Sequence, residues 1–340
     1  MNESRRLFLV ADIGGTHARF ALARYAGGEL AVDAPSVWLT ALHEGLDVAL
    51  EAFLAQMGKP RLDAVAVCAA GPVEGAGGEA MIDMTNCPWD VSVAALSRAT
   101  GVAHPLLMND FAALALAVPH LRETELRRIG GDKPDPSAPI AILGAGTGLG
   151  VASLVPSGDG RYIALPGEGG HVDLAPTDAR EIAVVYQLMQ EFGRVSVERV
   201  LSGPGLVALY MAIGALDGAP GKARPTGVDV SNWARIGSSK AAKEAVSLFC
   251  GWLGATAGNL ALTLGAKGGV YIGGGIVPGW IAEDERNPAA PLFDAKLFRH
   301  RFEAKGRFKT WLAPIPVNVI TREDPALLGL AWAAVEAQKV

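Results

Sequence analysis

The fold is decided by the stretch Leu106-Leu107-Met108-Asn109-Asp110-Phe111, in which an apolar run ends abruptly at two polar residues. Apolar residues then recur at Leu114 and Val118, the spacing of a helix. We therefore expect a buried strand that runs into a helix, with a carboxylate at the junction. The carboxyl ends of strands in open α/β sheets face the ligand crevice, so Asp110 is a candidate general base and Asn109 a candidate hydrogen-bonding neighbour. Taken alone, the position of Asp110 favours a simple helix cap over a general base.

Length and charge bound the possibilities for the rest of the chain. With 340 residues, two domains are expected. The net charge of −5, without a Lys/Arg block, argues against nucleic acid or an anionic membrane as the main partner. It does not exclude a phosphorylated ligand, because backbone N–H groups bind phosphate without many cations.

The cysteines and the hydropathy point to the cytoplasm. Cys68, Cys87 and Cys250 are far apart, and no Cys or His pair has zinc-site spacing. Cys68 and Cys250 lie in apolar stretches and are predicted to be core thiols. No run of about 18 uncharged apolar residues is convincing as a membrane span. The sequence therefore predicts a cytoplasmic protein without a membrane or nucleic-acid partner.

A glycine-rich hairpin is predicted near the start of the chain. A strand over residues 7–11 leads into Ala11-Asp12-Ile13-Gly14-Gly15-Thr16, and a second strand follows over residues 19–25. This is not the strand–turn–helix of a Walker or Rossmann phosphate loop. Glycines still let the backbone approach an anion closely, with Asp12 able to hold a hydrated Mg²⁺ and Thr16 able to donate to a phosphate. The alternative is an ordinary glycine hairpin with a turn Asp.

A second hairpin of the same kind begins at residue 140. A strand over 140–143 is followed by Gly144-Ala145-Gly146-Thr147-Gly148 and a strand over 149–155. The two hairpins form an internal repeat in kind, and each can head one half of a duplicated α/β fold. Facing each other across a cleft, they would hold the phosphates of one nucleotide from both sides. Gly273-Gly274-Gly275, between a strand and a helix, offers bare backbone to a flat base.

Further polar candidates lie in glycine-rich segments after the second hairpin. Glu168 and His171 are framed by three glycines, which suggests a polar site with close backbone approach, although no third metal ligand is evident. Glu198 in isolation reads as one half of a solvated ion pair with Arg199. Ser202 is expected to cap a helix. Residues 84–89 form either a ligand-facing loop or a loop around a packed Trp89.

Four other segments carry structural expectations. Residues 43–57 and 239–264 are predicted helices, and the glycines of the second at positions 251, 254 and 258 suggest close packing against another element. Residues 214–230 are rich in Pro and Gly and are predicted to form a surface loop. Residues 325–337 are expected to form a final apolar helix.

Taken together, the motifs at 11–16, 109–111, 144–150, 165–173 and 198–205 resemble those of the bacterial glucokinases, in the branch without a zinc-binding cysteine cluster. The resemblance covers nearly the whole chain. It implies an α/β fold of two ribonuclease-H-like domains, of the actin/hexokinase type, flanking a deep cleft. Residues 1–120 with 323–340 would form the small domain, and residues 121–322 the large one.

The same resemblance implies ATP-dependent phosphorylation of the glucose 6-hydroxyl, with Mg²⁺, by a cytoplasmic homodimer. Asp110 would be the general base, and the sugar hydroxyls would be bound by Asn109, Asp110, Glu168, His171 and Glu198. The nucleotide would be bound by Ala11, Asp12, Ile13, Gly14, Gly15, Thr16, Gly144, Gly146, Thr147, Gly148 and Gly274. The chain departs from many members at His17, where they carry Asn.

Two alternatives to a glucose kinase stay open on the sequence. The same cleft serves kinases of mannose, fructose or N-acetylated sugars, since pocket shape cannot be read from sequence. A sugar-sensing regulator or a sugar-independent actin-like ATPase is the other class. A DNA-binding regulator would need a helix-turn-helix and a basic face, for which we expect no room before residue 7. Whether polyphosphate can replace ATP is also open.

Overall fold

The structure is a computed structural model that describes residues 5–84, 87–219 and 225–338. The strands within these ranges are β1 Arg6–Ile13, β2 His17–Ala26, β3 Glu29–Val32, β4 Ser36–Leu39, β5 Ala64–Ala69, β6 Met81–Ile82, β7 Val91–Ser92, β8 Leu106–Asn109, β9 Leu126–Gly130, β10 Ile140–Ala145, β11 Leu149–Pro156, β12 Tyr162–Gly167, β13 Val270–Gly274 and β14 Val317–Ile320. The α-helices are α1 Leu46–Gln56, α2 Val93–Thr100, α3 Asp110–Ala117, α4 Ala179–Phe192, α5 Gly203–Leu216, α6 Gly227–Ile236, α7 Lys240–Leu264, α8 Ile276–Arg286, α9 Ala295–Glu303, α10 Lys309–Leu312 and α11 Pro325–Ala337. Short 3₁₀ turns join several of these elements.

The chain divides into two compact units. The first unit comprises Met1–Leu121 and Arg322–Val340, and the second comprises Arg122–Thr321. The second unit is therefore an uninterrupted stretch of chain, whereas the first is completed by the C-terminal segment that carries α11.

The first unit is built on a six-stranded sheet in the order β3-β2-β1-β5-β8, with β4 also paired to β2. Strand β1 is antiparallel to β2 and parallel to β5, which is parallel to β8. Alternate residues of β1 enter two different cores, as the period of a strand requires. Leu9 packs with α1 residues such as Phe53, and Phe8 packs with α11 residues such as Leu330.

Helix α11 packs closely against α3, β1 and β5. A glycine makes the closest helix–helix approach possible, because a Cβ on Gly329 would lie 1.8 Å from the carbonyl oxygen of Ala113 in α3. Since α3 begins at Asp110, the position of this carboxylate depends on the fit between α3 and α11.

The second unit repeats this arrangement. Its six-stranded sheet has the order β12-β11-β10-β13-β14-β9. In each sheet three consecutive strands pair antiparallel, β1-β2-β3 in the first unit and β10-β11-β12 in the second. The first strand of each run also pairs parallel with a later strand, β1 with β5 and β10 with β13. That later strand pairs parallel with one more, β5 with β8 and β13 with β14. The repeat predicted from the two glycine hairpins is therefore confirmed.

The long helix α7 forms the centre of the second unit's largest hydrophobic core. It starts after the cap residue Ser239, whose hydroxyl accepts from Ala242 N. A Cβ on Gly254 would lie 2.1 Å from the carbonyl oxygen of Phe298 in α9, and one on Gly258 would lie 2.4 Å from that of Phe302. The predicted close packing is thus confirmed for these two glycines. It is wrong for Gly251, where a Cβ would make only an ordinary contact, 3.7 Å from Cγ of Arg301. By length and composition α7 is able to cross a membrane, but 61% of its most apolar window is buried inside the protein, as in an ordinary core helix.

Two predicted segments need correction. Helix α1 begins at Leu46 instead of residue 43, because the backbones of His43 and Gly45 are extended and Gly45 is the N-cap residue. The surface loop predicted for residues 214–230 is wrong at both ends: α5 continues to Leu216 and α6 begins at Gly227. Its Pro and Gly content obscured a capping box in which Thr226 and Asp229 bind each other's backbone N–H groups. Residues 220–224 lie outside the described residues.

Candidate active site

Two carboxylates meet at one edge of the first unit's sheet. Asp12 lies near the end of β1, and Asp110 follows the end of β8. Between these strands runs β5, in which Cys68 is paired with both Asp12 and Met108. Because β1, β5 and β8 are parallel, their carboxyl ends share this edge, where α/β sheets bind ligands.

The thiol of Cys68 lies directly behind these carboxylates. Its Sγ is 3.6 Å from Oδ1 of Asp12 and the residue is fully buried. Burial, reinforced by the charges of Asp12 and Asp110, raises the pKa of the Cys68 thiol well above its usual value. Cys68 is therefore a neutral thiol, as predicted for a core residue.

Asn109, and not Asp110, caps helix α3. Oδ1 of Asn109 accepts hydrogen bonds from Phe111 N at 2.9 Å and Ala112 N at 3.1 Å, and its Nδ2 donates to Gly71 O at 3.1 Å. The alternative of Asp110 as a simple cap is therefore wrong. Asp110 is the first residue of α3, partly buried, and its Oδ1 accepts from Phe111 N at 2.8 Å. Asn109 has one amide N–H left, which limits it to a single donation to a ligand.

Asp12 has a neighbouring arginine, which binds a second carboxylate more closely. Nη1 of Arg19 lies 3.9 Å from Oδ2 of Asp12, and its Nε lies 2.9 Å from Oδ1 of Asp324. Burial raises the pKa of Asp12, and the positive charge of Arg19 opposes that rise. A quarter of the Asp12 side chain stays exposed, so it can contact a ligand.

The predicted nucleotide residues of the first hairpin fall into two groups. Ala11 and Ile13 are completely buried in β1, so their side chains contribute only to the core. Gly14, Gly15 and Thr16 form the turn itself, which is closed by a bond of 2.9 Å from Gly14 N to His17 O. Gly15 is partly exposed and Thr16 is exposed, so this turn can present its backbone to an anion.

The glycines of the second hairpin also divide by role. A Cβ on Gly144 would lie 2.4 Å from the carbonyl carbon of Gly273, and one on Gly274 would lie 2.5 Å from the carbonyl oxygen of Ala145. These glycines therefore allow β10 and β13 to approach closely. Gly146, Thr147 and Gly148 form the turn, with a bond of 2.8 Å from Gly146 N to Gly148 O.

Glu198 is attached to the second hairpin. It lies in the 3₁₀ turn Val197–Arg199, and its Oε2 accepts a hydrogen bond from Leu149 N at 2.8 Å. Gly148 leaves room for this carboxylate, since a Cβ there would lie 2.5 Å from Oε2. Among the ion pairs of the described residues none joins Glu198 to Arg199, whose guanidinium lies 4.6 Å from the centre of the Phe192 ring. The solvated pair suggested by the sequence is therefore wrong.

Glu168 and His171 flank a short turn beside β11. Both side chains are exposed, with Nε2 of His171 3.9 Å from Oε2 of Glu168. The turn lies against β11 because Gly170 has no side chain; a Cβ there would be 2.3 Å from Leu149 O. Glu168, His171 and Glu198 thus all contact or flank the same short stretch of β11. In the part of the chain that the structure describes, no three His, Cys, Asp or Glu side chains form a metal-binding group.

A pocket that the sequence did not reveal opens beside the second hairpin. It has a volume of about 620 Å³ and is lined by Gly146, Thr147, Gly203, Pro204, Val207, Pro225, Thr226 and Gly227. The first turns of α5 and α6 border it, and each helix is capped by a side chain, from Ser202 and from Thr226. The capping box of Thr226 was the signal in the sequence that could have located this wall.

The loop at residues 84–89 can be judged only in part. Thr85 and Asn86 lie outside the described residues. Trp89 is buried, and its Nε1 donates to His43 O at 3.2 Å. The interpretation of a packed Trp89 is therefore confirmed.

Each unit thus presents a glycine hairpin with carboxylates beside it. Comparison with known proteins identifies the family. A family model described as glucokinase matches residues 9–337. The glucokinase of Chromobacterium violaceum is 46% identical over 323 residues, which cover 95% of this chain and 88% of the relative. That of Aromatoleum aromaticum is 46% identical over 331 residues, covering 96% and 93%.

A solved structure supports the same assignment. The crystal structure of a glucokinase from an Antarctic psychrotroph superposes with a TM-score of 0.83 at 32% sequence identity, covering 97% of this chain and 99% of that one. The fold is accordingly of the actin/hexokinase-like type, as the sequence predicted. With a family match and identities of this extent, the chain belongs to the glucokinase family.

Proposed function

We propose that this protein transfers the γ-phosphoryl group of ATP to the 6-hydroxyl of D-glucose, with Asp110 as general base. The observation that carries this proposal is the position of Asp110, a carboxylate at the carboxyl end of β8 and on the same sheet edge as Asp12 and the first glycine hairpin. A sugar hydroxyl held there would have a proton acceptor beside it and a phosphate-binding turn on the neighbouring strand.

In the proposed reaction, Asp110 accepts the proton of the 6-hydroxyl while the hydroxyl oxygen attacks the γ-phosphorus. The new O–P bond forms as the bond from the γ-phosphorus to the bridging oxygen breaks, and that electron pair leaves with ADP. Phosphoryl transfer depends mainly on positioning and charge stabilisation. A well-placed base adds a factor of about 10²–10⁴.

Glucose recognition is assigned to Asn109, Glu168, His171 and Glu198. A neutral sugar needs paired donors and acceptors, which carboxylates, an amide and an imidazole supply. Asn109 can give one N–H, because its other polar atoms hold α3 and Gly71. Glu198 offers Oε1, since Oε2 is bound to Leu149 N.

The nucleotide is assigned to the two hairpin turns and to the pocket beside Thr147. That pocket, at about 620 Å³, is of the size that small-molecule sites have. Asp12 fits a hydrated Mg²⁺, because this ion is usually held by one or two carboxylates together with substrate phosphates. When bound, Mg²⁺ would neutralise charge on the transferring phosphoryl group, a task for which the site offers few cations of its own.

Cytoplasmic location and a homodimeric state complete the proposal. The described cysteines are all free thiols, which suits a reducing compartment. Homodimer formation follows from the family resemblance, and light scattering on the purified protein tests it directly. A mass of one chain across micromolar concentrations would contradict it.

The catalytic assignment is tested by replacing Asp110 with Asn, which keeps the shape and removes the proton acceptor. We expect kcat for glucose-dependent ADP formation to fall by about 10²–10⁴-fold with glucose binding retained. Glu51→Gln, at an exposed site on α1, is the matched control and should keep wild-type kcat. Turnover near wild type in Asp110→Asn would contradict the assignment.

Substrate choice is tested on the wild-type protein. A panel of glucose, mannose, fructose and N-acetylglucosamine, compared by kcat/KM, should favour glucose. A more than tenfold preference for another sugar would replace glucose as the substrate. ADP formation at full rate without any sugar would favour the ATPase alternative instead.

A further inference from the structure

A buried threonine grips the turn of the first glycine hairpin from within its own unit. Thr40 is 3% exposed and follows directly after β4. Its Oγ1 donates to the carbonyl oxygen of Gly15 at 2.8 Å, and its backbone N donates to the carbonyl oxygen of Thr16 at 3.0 Å. One residue therefore fixes two successive peptide groups of the turn.

The hydrogen bond from Oγ1 of Thr40 to the carbonyl of Gly15 determines where the N–H of Thr16 points. In a trans peptide the C=O and the following N–H lie in one plane and point in opposite directions. The chain has no cis peptide among its described residues. Because Thr40 holds the carbonyl of Gly15, the N–H of Thr16 in the same peptide is directed away from Thr40.

The pairing of β2 with β4 also ends just before the N–H of Thr16 would donate a hydrogen bond within the sheet. Strand β2 pairs antiparallel with β4 up to His17 and Leu39, and the next pair would be Thr16 with Thr40. A full ladder pair exchanges two hydrogen bonds, but only the one from Thr40 N is present. The carbonyl of Thr40 instead accepts from His43 N at 3.2 Å, at the 3₁₀ turn Thr40–Leu42. No described residue accepts from the N–H of Thr16.

The second unit has the same arrangement from different residues. There the carbonyl of Gly146 is held by the backbone N of Gly203, at 2.8 Å, at the start of α5. Gly146 precedes Thr147 as Gly15 precedes Thr16, so the N–H of Thr147 is likewise directed away from its anchor. In both hairpins, therefore, a donor outside the turn binds the carbonyl group that precedes the threonine.

We infer that Thr40 is a positioning residue for nucleotide binding, which orients the N–H of Thr16 toward a phosphate oxygen. The inference rests on the proposed function, since it takes the first hairpin as the phosphate turn. Thr40 itself does not touch the nucleotide. It fixes the donor in advance, so that binding does not have to order the turn.

The test compares Thr40→Val, which removes the hydroxyl but keeps the shape and the backbone N–H, with Thr40→Ser, which keeps the hydroxyl. We expect Thr40→Val to raise both the KM for ATP and the calorimetric Kd for MgADP by roughly tenfold, the loss of about one hydrogen bond. The KM for glucose should stay within twofold. Thr40→Ser should restore nucleotide affinity to within about threefold.

Thr100→Val serves as the matched control. Thr100 in α2 makes a similar bond, from Oγ1 to Leu96 O at 2.7 Å, away from the hairpin. It should leave the Kd for MgADP unchanged. If Thr40→Val leaves nucleotide affinity unchanged, or raises the glucose and ATP KM values equally, Thr40 has only a structural role and the inference is wrong.

A measurement on the wild-type protein covers the case in which Thr40→Val does not fold. Hydrogen exchange of the Thr16 amide should be fast in the free protein and slowed at least tenfold by MgADP. Slow exchange in the free protein, or no change with MgADP, would overturn the inference. A wild-type protein that binds MgADP with this protection but does not phosphorylate glucose would instead overturn the proposed function and leave the inference standing.

Discussion

Oε2 of Glu198 accepts a hydrogen bond from the backbone N of Leu149 at 2.8 Å. This bond joins a side chain that we propose to bind glucose to the second glycine hairpin. Leu149 is the first residue of β11, directly after the turn Gly146-Thr147-Gly148. Displacement of this carboxylate would therefore disturb the turn as well as the sugar contact. The proposed sugar contact and the proposed phosphate turn of the second unit therefore share one side chain.

This relationship predicts a mixed defect for Glu198→Ala. Loss of a hydrogen bond to a charged group costs about 1.5–3 kcal/mol, so we expect the KM for glucose to rise about 10–100-fold. Leu149 N loses its partner, and the KM for ATP should rise severalfold as well. Glu168→Ala is the comparison, because the structure gives Glu168 no bond to the hairpin; it should affect glucose alone. Equal ATP affinities in the two variants would contradict the shared role.

The close contact between α3 and α11 predicts a defect at a distance from the site. In Gly329→Ala the new methyl group would lie 1.8 Å from Ala113 O, so one helix must shift. We expect a loss of about 1–3 kcal/mol in the free energy of unfolding and a lower kcat, because Asp110 begins α3. Gly279→Ala in α8 meets nothing within 4 Å and should be neutral or slightly stabilising. Wild-type stability in Gly329→Ala, measured by urea unfolding, would show that the helices have room to spare.

A buried ion pair in the second unit predicts a large loss of stability. Glu181 in α4 is 2% exposed and pairs with Arg301 in α9, and it also accepts from Thr177 N at 2.7 Å. Arg301→Leu would leave a buried carboxylate without its cation, at a cost of about 3–5 kcal/mol in the free energy of unfolding. Arg161→Leu removes the exposed partner of Asp159 and should change nothing measurable. Similar unfolding curves for both variants would argue against this difference in burial.

The buried thiol of Cys250 predicts a lower free energy of unfolding at high pH. Burial raises the pKa of Cys250 from 9.0 to about 12, so between these values the unfolded chain releases a proton that the folded protein keeps. Stability from this group is complete below pH 9 and falls as pH rises toward 12, by about 1.4 kcal/mol per unit. Cys250→Ala, although less stable at neutral pH, should lose less stability over that range. If the free energies of unfolding of wild type and Cys250→Ala fell in parallel between pH 9 and 12, the raised pKa of Cys250 would be contradicted.

Local glycine patterns made much of the fold predictable. Both hairpins were located by their glycine clusters, and these also indicated the internal repeat that the two sheets show. The junction at Asp110 was located by an apolar run that ends in polar residues. In each case short-range sequence encodes the backbone geometry, since strands, turns and helix starts have local signals.

Long-range contacts explain what the sequence did not reveal. Thr40 looks like an ordinary residue after a strand, and only the paired β4 brings it to the turn of Gly14-Gly15-Thr16. The cap of α3 could have been either Asn109 or Asp110, because both residue types are good caps. In the structure Asn109 is the cap, and its side chain also donates a hydrogen bond to Gly71, 38 residues away, a contact that the local sequence does not show.

A crystal structure with glucose and a non-hydrolysable ATP analogue bound together would test the role of Asp110 as general base most directly. We expect a carboxylate oxygen of Asp110 within about 2.6–3.2 Å of the sugar O6, with O6 facing the γ-phosphorus. Glu168, His171 and Glu198 should contact the other hydroxyls. A sugar whose O6 lies against a different residue, with Asp110 out of hydrogen-bonding range, would contradict the assignment of Asp110 as general base.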